Sequence, residues 1–157
     1  MYVKEMRLIR ERMLELQRNL GGQLKSDAKC CGITVAQCHA LMKVGAKGEI
    51  SLVELAGSLG LDNSTLSRTI DVMVQAGLVE RYANPHDRRY VTISLSTKGC
   101  ALYNNIDRTF NEYFASAFEL IPEEKRGQIL ESFTLLEEAV SKLGSMDCCM
   151  EEVQGEG

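Results

Sequence analysis

The stretch KCCGITVAQC, residues 29–38, sets two adjacent thiols, Cys30 and Cys31, a short step ahead of a third, Cys38. A second adjacent pair, Cys148 and Cys149, stands near the far end of the chain, and Cys100 lies between. Clustered thiolates select soft, thiophilic ions over hard ones, and the same thiols can oxidise to disulfides. Adjacent cysteines make only strained disulfides with each other, so oxidation would join different pairs. On one continuous helix Cys31 and Cys38 would stand about 10 Å apart, too far to share an ion. Thr34 and Gln37 fit a capping box, however, which starts the helix after Gly32 and lets the Cys-Cys-Gly segment fold back toward Cys38. Cys30, Cys31, Cys38, Cys148 and Cys149 are therefore candidate ligands of a metal or metalloid ion: trivalent arsenic or antimony, cadmium, zinc, copper(I) or mercury. Cys100, beside Ala101 and Leu102, reads as a small packing residue, and His39 as a partly buried helical histidine.

A second chemistry is written in residues 63–68. Asn63, Ser64, Thr65, Ser67 and Arg68 are short polar side chains and one guanidinium, with no acidic residue until Asp71. At the start of a helix, such residues suit approach to DNA phosphates, and first-turn side chains can reach base edges in the major groove. Arg68 is the expected base reader, because its fork can bond two guanine acceptors at once. Further on, the loop Asn84-Pro-His-Asp-Arg-Arg89 projects Arg88 and Arg89, which fit a narrow minor groove. Asp87 is expected to pair with one arginine and hold the loop's shape.

The elements that must position these groups follow from periodicity and punctuation. Met6, Ile9, Met13, Leu16 and Leu20 recur at steps of three and four, as do Ile129, Phe133, Leu136, Val140 and Leu143. Each set makes one narrow apolar stripe on a helix, the geometry of lengthwise packing, and together they predict a shared dimer interface. Gly21 and Gly22 are expected to loosen or end the first helix. Capping boxes at Thr34 and Ser51 start helices over about 35–45 and 52–59; Gly60-Leu-Asp-Asn63 is a turn, and Gly77 closes the next helix. Leu52, Leu55, Ala56 and Leu59 bury the first of these two helices, and Leu66, Ile70 and Met73 the second, with Leu61 in the turn. Two β-prone runs, Leu78–Tyr82 and Tyr90–Leu95, make a hairpin. Helices resume near Thr97 and after Pro122. The expected order is α-α-α-α-β-β-α-α, a mainly α fold with one small β-hairpin.

Size and charge are consistent with this. The 157 residues suffice for a core without disulfide staples, and the net charge of −4 is unevenly spread. From Glu123 onward nine acidic residues face three basic ones, which leaves residues 1–122 slightly positive. The charged N-terminus and the lack of a long apolar run predict neither leader nor membrane span, and hence a cytoplasmic protein with reduced thiols and no membrane partner. Phosphate loops, dinucleotide glycine fingerprints, zinc-protease helices, serine elbows and Cys-x-x-Cys spacings are all missing, so no enzyme is expected.

With these residues in view, the chain resembles the MarR family of transcriptional regulators. ITVAQCHALMKVG is similar to that family's helix before the reading head, ELAGSLGLDNSTLSRTIDVMVQAGLVER to its helix-turn-helix, and NPHDRRYVTISLSTKG to its wing. The resemblance implies a winged helix-turn-helix domain over 33–99 and a helical dimerisation region from 1–32 and 100–145. Residues 146–157 remain as an acidic, cysteine-bearing tail. It implies a homodimer on double-stranded, pseudo-palindromic operator DNA, usually a repressor, with Ser64, Thr65, Ser67 and Arg68 on the recognition helix. Asp87, Arg88 and Arg89 fall in the wing. No cofactor is implied for DNA binding. The cysteine pairs depart from the family pattern, and they suggest an effector acting through thiols. The alternatives are thiol oxidation, a small aromatic or lipophilic ligand with incidental cysteines, or a structural zinc site.

Overall fold

The computed structural model describes residues 2–83 and 91–143. In chain order the elements are α1 (Tyr2–Cys30), α2 (Val35–Lys47), β1 (Glu49–Ser51), α3 (Leu52–Leu59) and α4 (Asn63–Gln75). They continue with β2 (Val79–Ala83), β3 (Val91–Leu95), α5 (Thr97–Glu119) and α6 (Glu123–Leu143). Two compact units divide the chain at Phe110. The mainly α fold is as expected, but the sheet has three antiparallel strands in the order β1-β3-β2 instead of a bare hairpin. Glu49–Ser51 is too short to announce itself by alternation; pairing of Ile50 with Ile93 makes it a strand, and Ile50 is buried there. The first helix also differs from expectation. Gly21 and Gly22 lie inside a continuous 29-residue α1, because glycine weakens a helix by about 1 kcal/mol per residue without blocking its hydrogen bonds.

In the first unit one core joins the helices to the sheet. Cys38, Leu41 and Val44 of α2 meet Leu55 and Ala56 of α3, Leu66, Ile70 and Met73 of α4, and Ile93 of β3. Leu52, Leu59 and Leu61 pack partly buried against it. Full burial of each large side chain contributes ~1.5–3 kcal/mol. That outweighs the poor intrinsic stability of an eight-residue helix such as α3, which is marginal alone.

The helices stop in a repeated way. At the end of α3, Leu61 N–H donates to Ala56 O (3.0 Å) and Gly60 N–H to Gly57 O (3.3 Å), with Gly60 at φ +63°. This Schellman closure uses the left-handed conformation that glycine adopts without a Cβ penalty, and it turns the chain toward α4. The pattern recurs after α1 through Gly32 and Ile33, and after α4 through Gly77 and Leu78. Each time an apolar residue follows the glycine and enters the core region.

Beyond α4, Ser96 ties the end of the sheet to α5. Its hydroxyl donates to Gly77 O (2.6 Å) and accepts from Gly99 N–H (3.0 Å), while its own N–H donates to Leu78 O (3.1 Å). Gly99 is buried against the Leu78 carbonyl, where a Cβ would collide with backbone. In the second unit the turn after α5 is closed by Arg126, whose guanidinium donates to Ile121 O (3.1 Å) and Glu119 O (3.5 Å). Among the described residues no helix is long and apolar enough to cross a membrane.

Two glycines test these packing statements in opposite directions. Gly99→Ala is expected to destabilise the protein by about 3 kcal/mol, since a backbone carbonyl cannot swing aside as a side chain can. Gly57→Ala meets open space in α3 and should stabilise by about 0.5–1 kcal/mol. Urea midpoints at fixed protein concentration measure both; equal shifts would contradict the close approach at Gly99.

Candidate nucleic-acid interface

Helix α4 begins at Asp62, the N-cap, whose carboxylate accepts from Thr65 N–H (2.9 Å). It also accepts from the Ser64 hydroxyl (2.5 Å) and the Thr65 hydroxyl (2.6 Å). These hydroxyl bonds, followed by the backbone bond, hold the Asp62 carboxyl well below the usual carboxylate range, so it is ionised at any working pH. Ser64 and Thr65 are therefore not free donors beside open N–H groups. Their protons point back to Asp62, and the Thr65 N–H is taken.

One turn on, Ser67 is half-buried and accepts a hydrogen bond from Arg81 Nη2 (3.1 Å). Arg81 comes from β2 and pairs through Nη1 with Asp71 Oδ1 (2.5 Å). The single acidic residue on this part of α4 is thereby neutralised by a cation reaching over from the sheet. Asn63 and Arg68 are exposed. Among the described residues Arg68 has no hydrogen-bond or ion-pair partner, so its guanidinium stands available. The structure thus brings Ser64, Thr65, Ser67 and Arg68 onto the first two turns of one helix. Arg81 was not anticipated; the signal was Asp71, an acid in an otherwise uncharged stretch that calls for a partner. The wing residues Asp87, Arg88 and Arg89 lie outside the described residues.

The thiols sort by burial. Cys30 ends α1 and is exposed, while Cys31, the next residue, is half-buried and packs against the core. Cys38 is fully buried on α2. Burial pushes the Cys38 thiol up to about 11, helped by nearby Cys31 and Asp27. Burial raises Cys31 too, with Cys30 and Asp27 adding to it. The capping box that starts α2 after Gly32 is present as predicted. Thr34 receives Gln37 N–H (3.2 Å), and Gln37 Oε1 receives Thr34 N–H (2.8 Å). Beside them Asp27 accepts from Gln23 through Oδ1 (2.9 Å), while its Oδ2 is buried with no hydrogen-bond partner among the described residues.

Two expectations fail. Cys100 is exposed, not packed, because its place on α5 faces away from Gly99 and Ile106. His39 is likewise exposed, because its neighbours Cys38 and Ala40 take the buried positions of α2. Among the described residues no three His, Cys, Asp or Glu side chains are arranged to hold a metal ion. Cys148 and Cys149 lie outside the described residues.

Capped α3, a Schellman turn, exposed-faced α4 and the antiparallel β2–β3 pair are the parts of a winged helix-turn-helix DNA-binding domain. Residues 33–91 match the sequence model of the MarR family. Two regulators are similar in sequence. The HTH-type transcriptional regulator BilQ of Clostridium symbiosum is 26% identical over 128 residues, 82% of this chain and 86% of that protein. The multiple antibiotic resistance protein MarR of Escherichia coli is 40% identical over 70 residues, 45% of this chain and 49% of that protein. In structure, FabT of Streptococcus pneumoniae, solved in complex with DNA, superposes with a TM-score of 0.77 at 17% identity. That match covers 88% of this chain and 99% of FabT and shows the fold. Residues 33–91 are thus similar to the MarR family of transcriptional regulators, and the chain as a whole shares the winged-helix fold of FabT.

Burial makes an ordered prediction for the thiols. Alkylation of the native protein at pH 7, mapped by mass spectrometry, should modify Cys30 and Cys100 readily and Cys38 only after denaturation. Rapid native labelling of Cys38 would contradict its place in the core.

Proposed function

We propose that this protein is a homodimeric operator-binding regulator, in mode a repressor, in which α4 reads the major groove and Arg68 contacts guanine. The observation that carries the reading is the exposed Arg68, without a partner among the described residues, on the capped helix of a winged helix-turn-helix. Its one acidic neighbour, Asp71, is already paired with Arg81. Arg88 and Arg89 are assigned to the adjacent minor groove on sequence grounds.

Homodimerisation is supported by the two terminal helices, each considered by itself. On α1, Met6, Ile9, Met13 and Leu16 are all exposed in the single chain. On α6 no residue is buried, and Phe133, Val140 and Leu143 lie open. Stripes of this kind are covered by a partner in a stable protein, and a second copy supplies an identical stripe. The domain plan read from sequence is retained on this basis: residues 1–32 and 100–145 for dimerisation, 33–99 for DNA, 146–157 as a tail.

The effector is assigned to the thiols, through a thiophilic ion or through oxidation. Support comes from Cys31 and Asp27, both close enough to Cys38 to raise its pKa, and from the Asp27 Oδ2, buried with no hydrogen-bond partner among the described residues. An ion held there would need Cys148 or Cys149 to complete its ligand set, and it must displace protons from two thiols of raised pKa. That makes ion binding tighten as pH rises. A second reading, a small aromatic ligand, is favoured by one structural relative, NadR, solved in complex with 4-hydroxyphenylacetate.

Fluorescence anisotropy with the gene's own upstream DNA and reduced protein tests both halves. Arg68→Ala should weaken specific binding by roughly 10-fold or more while leaving the dimer folded; unchanged affinity in both Arg68→Ala and Arg88→Ala would remove the reading-head assignment. Arsenite, cadmium, copper(I) or peroxide should release wild-type protein but not the Cys30→Ser/Cys31→Ser variant. Release of both by an aromatic acid alone would move the effector site away from the thiols.

A further inference from the structure

We propose that the recognition helix carries its hydroxyls in two fixed polarities: Ser64 and Thr65 act only as acceptors toward DNA, and Ser67 acts as a donor. The assignment rests on the reading of α4 as the DNA-facing helix and deepens it to the kind of base edge each residue takes.

A serine or threonine hydroxyl has one proton and two lone pairs, and it ordinarily rotates to suit its partner. For that reason it discriminates poorly between base edges, bonding donors and acceptors alike. In this helix the rotation is already decided. Asp62 is an ionised carboxylate and can only accept, so the bonds from Ser64 Oγ (2.5 Å) and Thr65 Oγ1 (2.6 Å) each consume the hydroxyl proton. What remains outward is lone pairs. The opposite holds at Ser67. A guanidinium has donors and no acceptor, so the bond from Arg81 Nη2 to Ser67 Oγ (3.1 Å) fills a lone pair and leaves the proton. Arg81 cannot easily turn away, because Asp71 holds its other nitrogen. Nor is the Ser67 proton used within the described helix, whereas the Thr69 hydroxyl gives its own to Thr65 O (3.2 Å).

The base edges then follow. In the major groove only cytosine N4 and adenine N6 are donors; guanine N7 and O6, adenine N7 and thymine O4 are acceptors. Ser64 and Thr65 therefore require adenine or cytosine on the strand they face. A phosphate oxygen is an acceptor as well, and beside the Asp62 charge it is refused. Ser67 requires an acceptor edge or a phosphate. The operator half-site is accordingly predicted to hold a position demanding an amino-bearing base, next to the guanine read by Arg68. A guanine or thymine at that position should weaken binding by roughly 10-fold, the usual scale for one mismatched base pair.

The test is selection from a DNA library with the operator randomised, followed by sequencing and by anisotropy on single-base variants. Full-length wild type, Asp62→Asn, Thr65→Val and Ser67→Ala are compared, with circular dichroism confirming that α4 is retained. Asparagine keeps a cap oxygen, but its amide nitrogen cannot accept, which frees a hydroxyl to donate. Wild type should demand adenine or cytosine at one position per half-site. In Asp62→Asn and Thr65→Val that demand should fall to within about 2–3-fold of guanine and thymine, and Ser67→Ala should relax a neighbouring position instead. An unchanged profile in both Asp62→Asn and Thr65→Val, with wild type still sequence-specific, overturns the polarity assignment and leaves the reading head standing. A wild type that selects no sequence overturns both.

Discussion

The Ser96 hydroxyl sits where four segments of the chain meet, and the presentation of α4 depends on it. It joins the Gly77 carbonyl at the end of α4 to the Gly99 N–H in the first turn of α5. The adjacent backbone bond from Ser96 to Leu78 O ties the end of β3 to the start of β2. Lys98 adds its ammonium to Ala76 O (2.8 Å), at the negative end of the α4 dipole. Each such bond contributes only about 0.5–1.5 kcal/mol net, but they share one knot, and Gly99 lets the backbones close around it. The first turn of α5 therefore cannot rotate without moving the end of α4 or breaking several bonds together. Helix α4 is thus fixed at its C-terminal end by these bonds, while Leu66 and Ile70 hold its first two turns to the core.

The same local engagement decides how charge is arranged around α4. Net charge matters less than which charges are already engaged. On α4 the two acids are both occupied: Asp62 by its own first turn, Asp71 by Arg81 from the neighbouring strand. Near the start of α3, Glu54 lies 3.5 Å from Lys47. Among the described residues Arg68 is the charged side chain of α4 left without a partner. The acids do local work, as cap and clasp, and in doing it they fix the rotamers of the hydroxyls beside them.

Much of this was legible beforehand, for identifiable reasons. Capping boxes and glycine stops act within a few residues, so Thr34, Ser51, Gly60 and Gly77 marked α2, α3 and α4 correctly. Leu55, Ala56, Leu66, Ile70 and Met73 declared the buried faces by spacing alone. β1 was missed because three residues carry no period, and the strand exists only by pairing with β3. Gly21 and Gly22 misled because a weak helical position was taken for a stop. At the site, the hydrogen-bond partners of the side chains on α4 did not follow from their types. Asp62 was visible as a cap, but its second oxygen spans to the Thr65 hydroxyl only in the folded turn. Arg81 lies ten and fourteen positions from its partners, a separation that local patterns do not reach. Cys100 followed the same limit: small neighbours in sequence do not decide which face of a long helix is covered.

The thiols occupy a place that gives them mechanical meaning. Cys31 stands at the closing turn of α1, a helix whose only buried residue is Ala28 and whose remaining length carries the bare stripe assigned to the dimer. Cys38 is on α2, within the core that also holds α3 and α4. The joint between α1 and the core that holds α2, α3 and α4 is thus lined by groups whose chemistry can change. Its present state is the protonated one, since burial raises both thiols and Asp27 opposes a further negative charge. A ligand or oxidant alters DNA binding only through a difference in affinity between two settings of that joint. The raised pKa values supply one side of that difference, because a setting that exposes Cys31 and Cys38 to water makes both better thiolates.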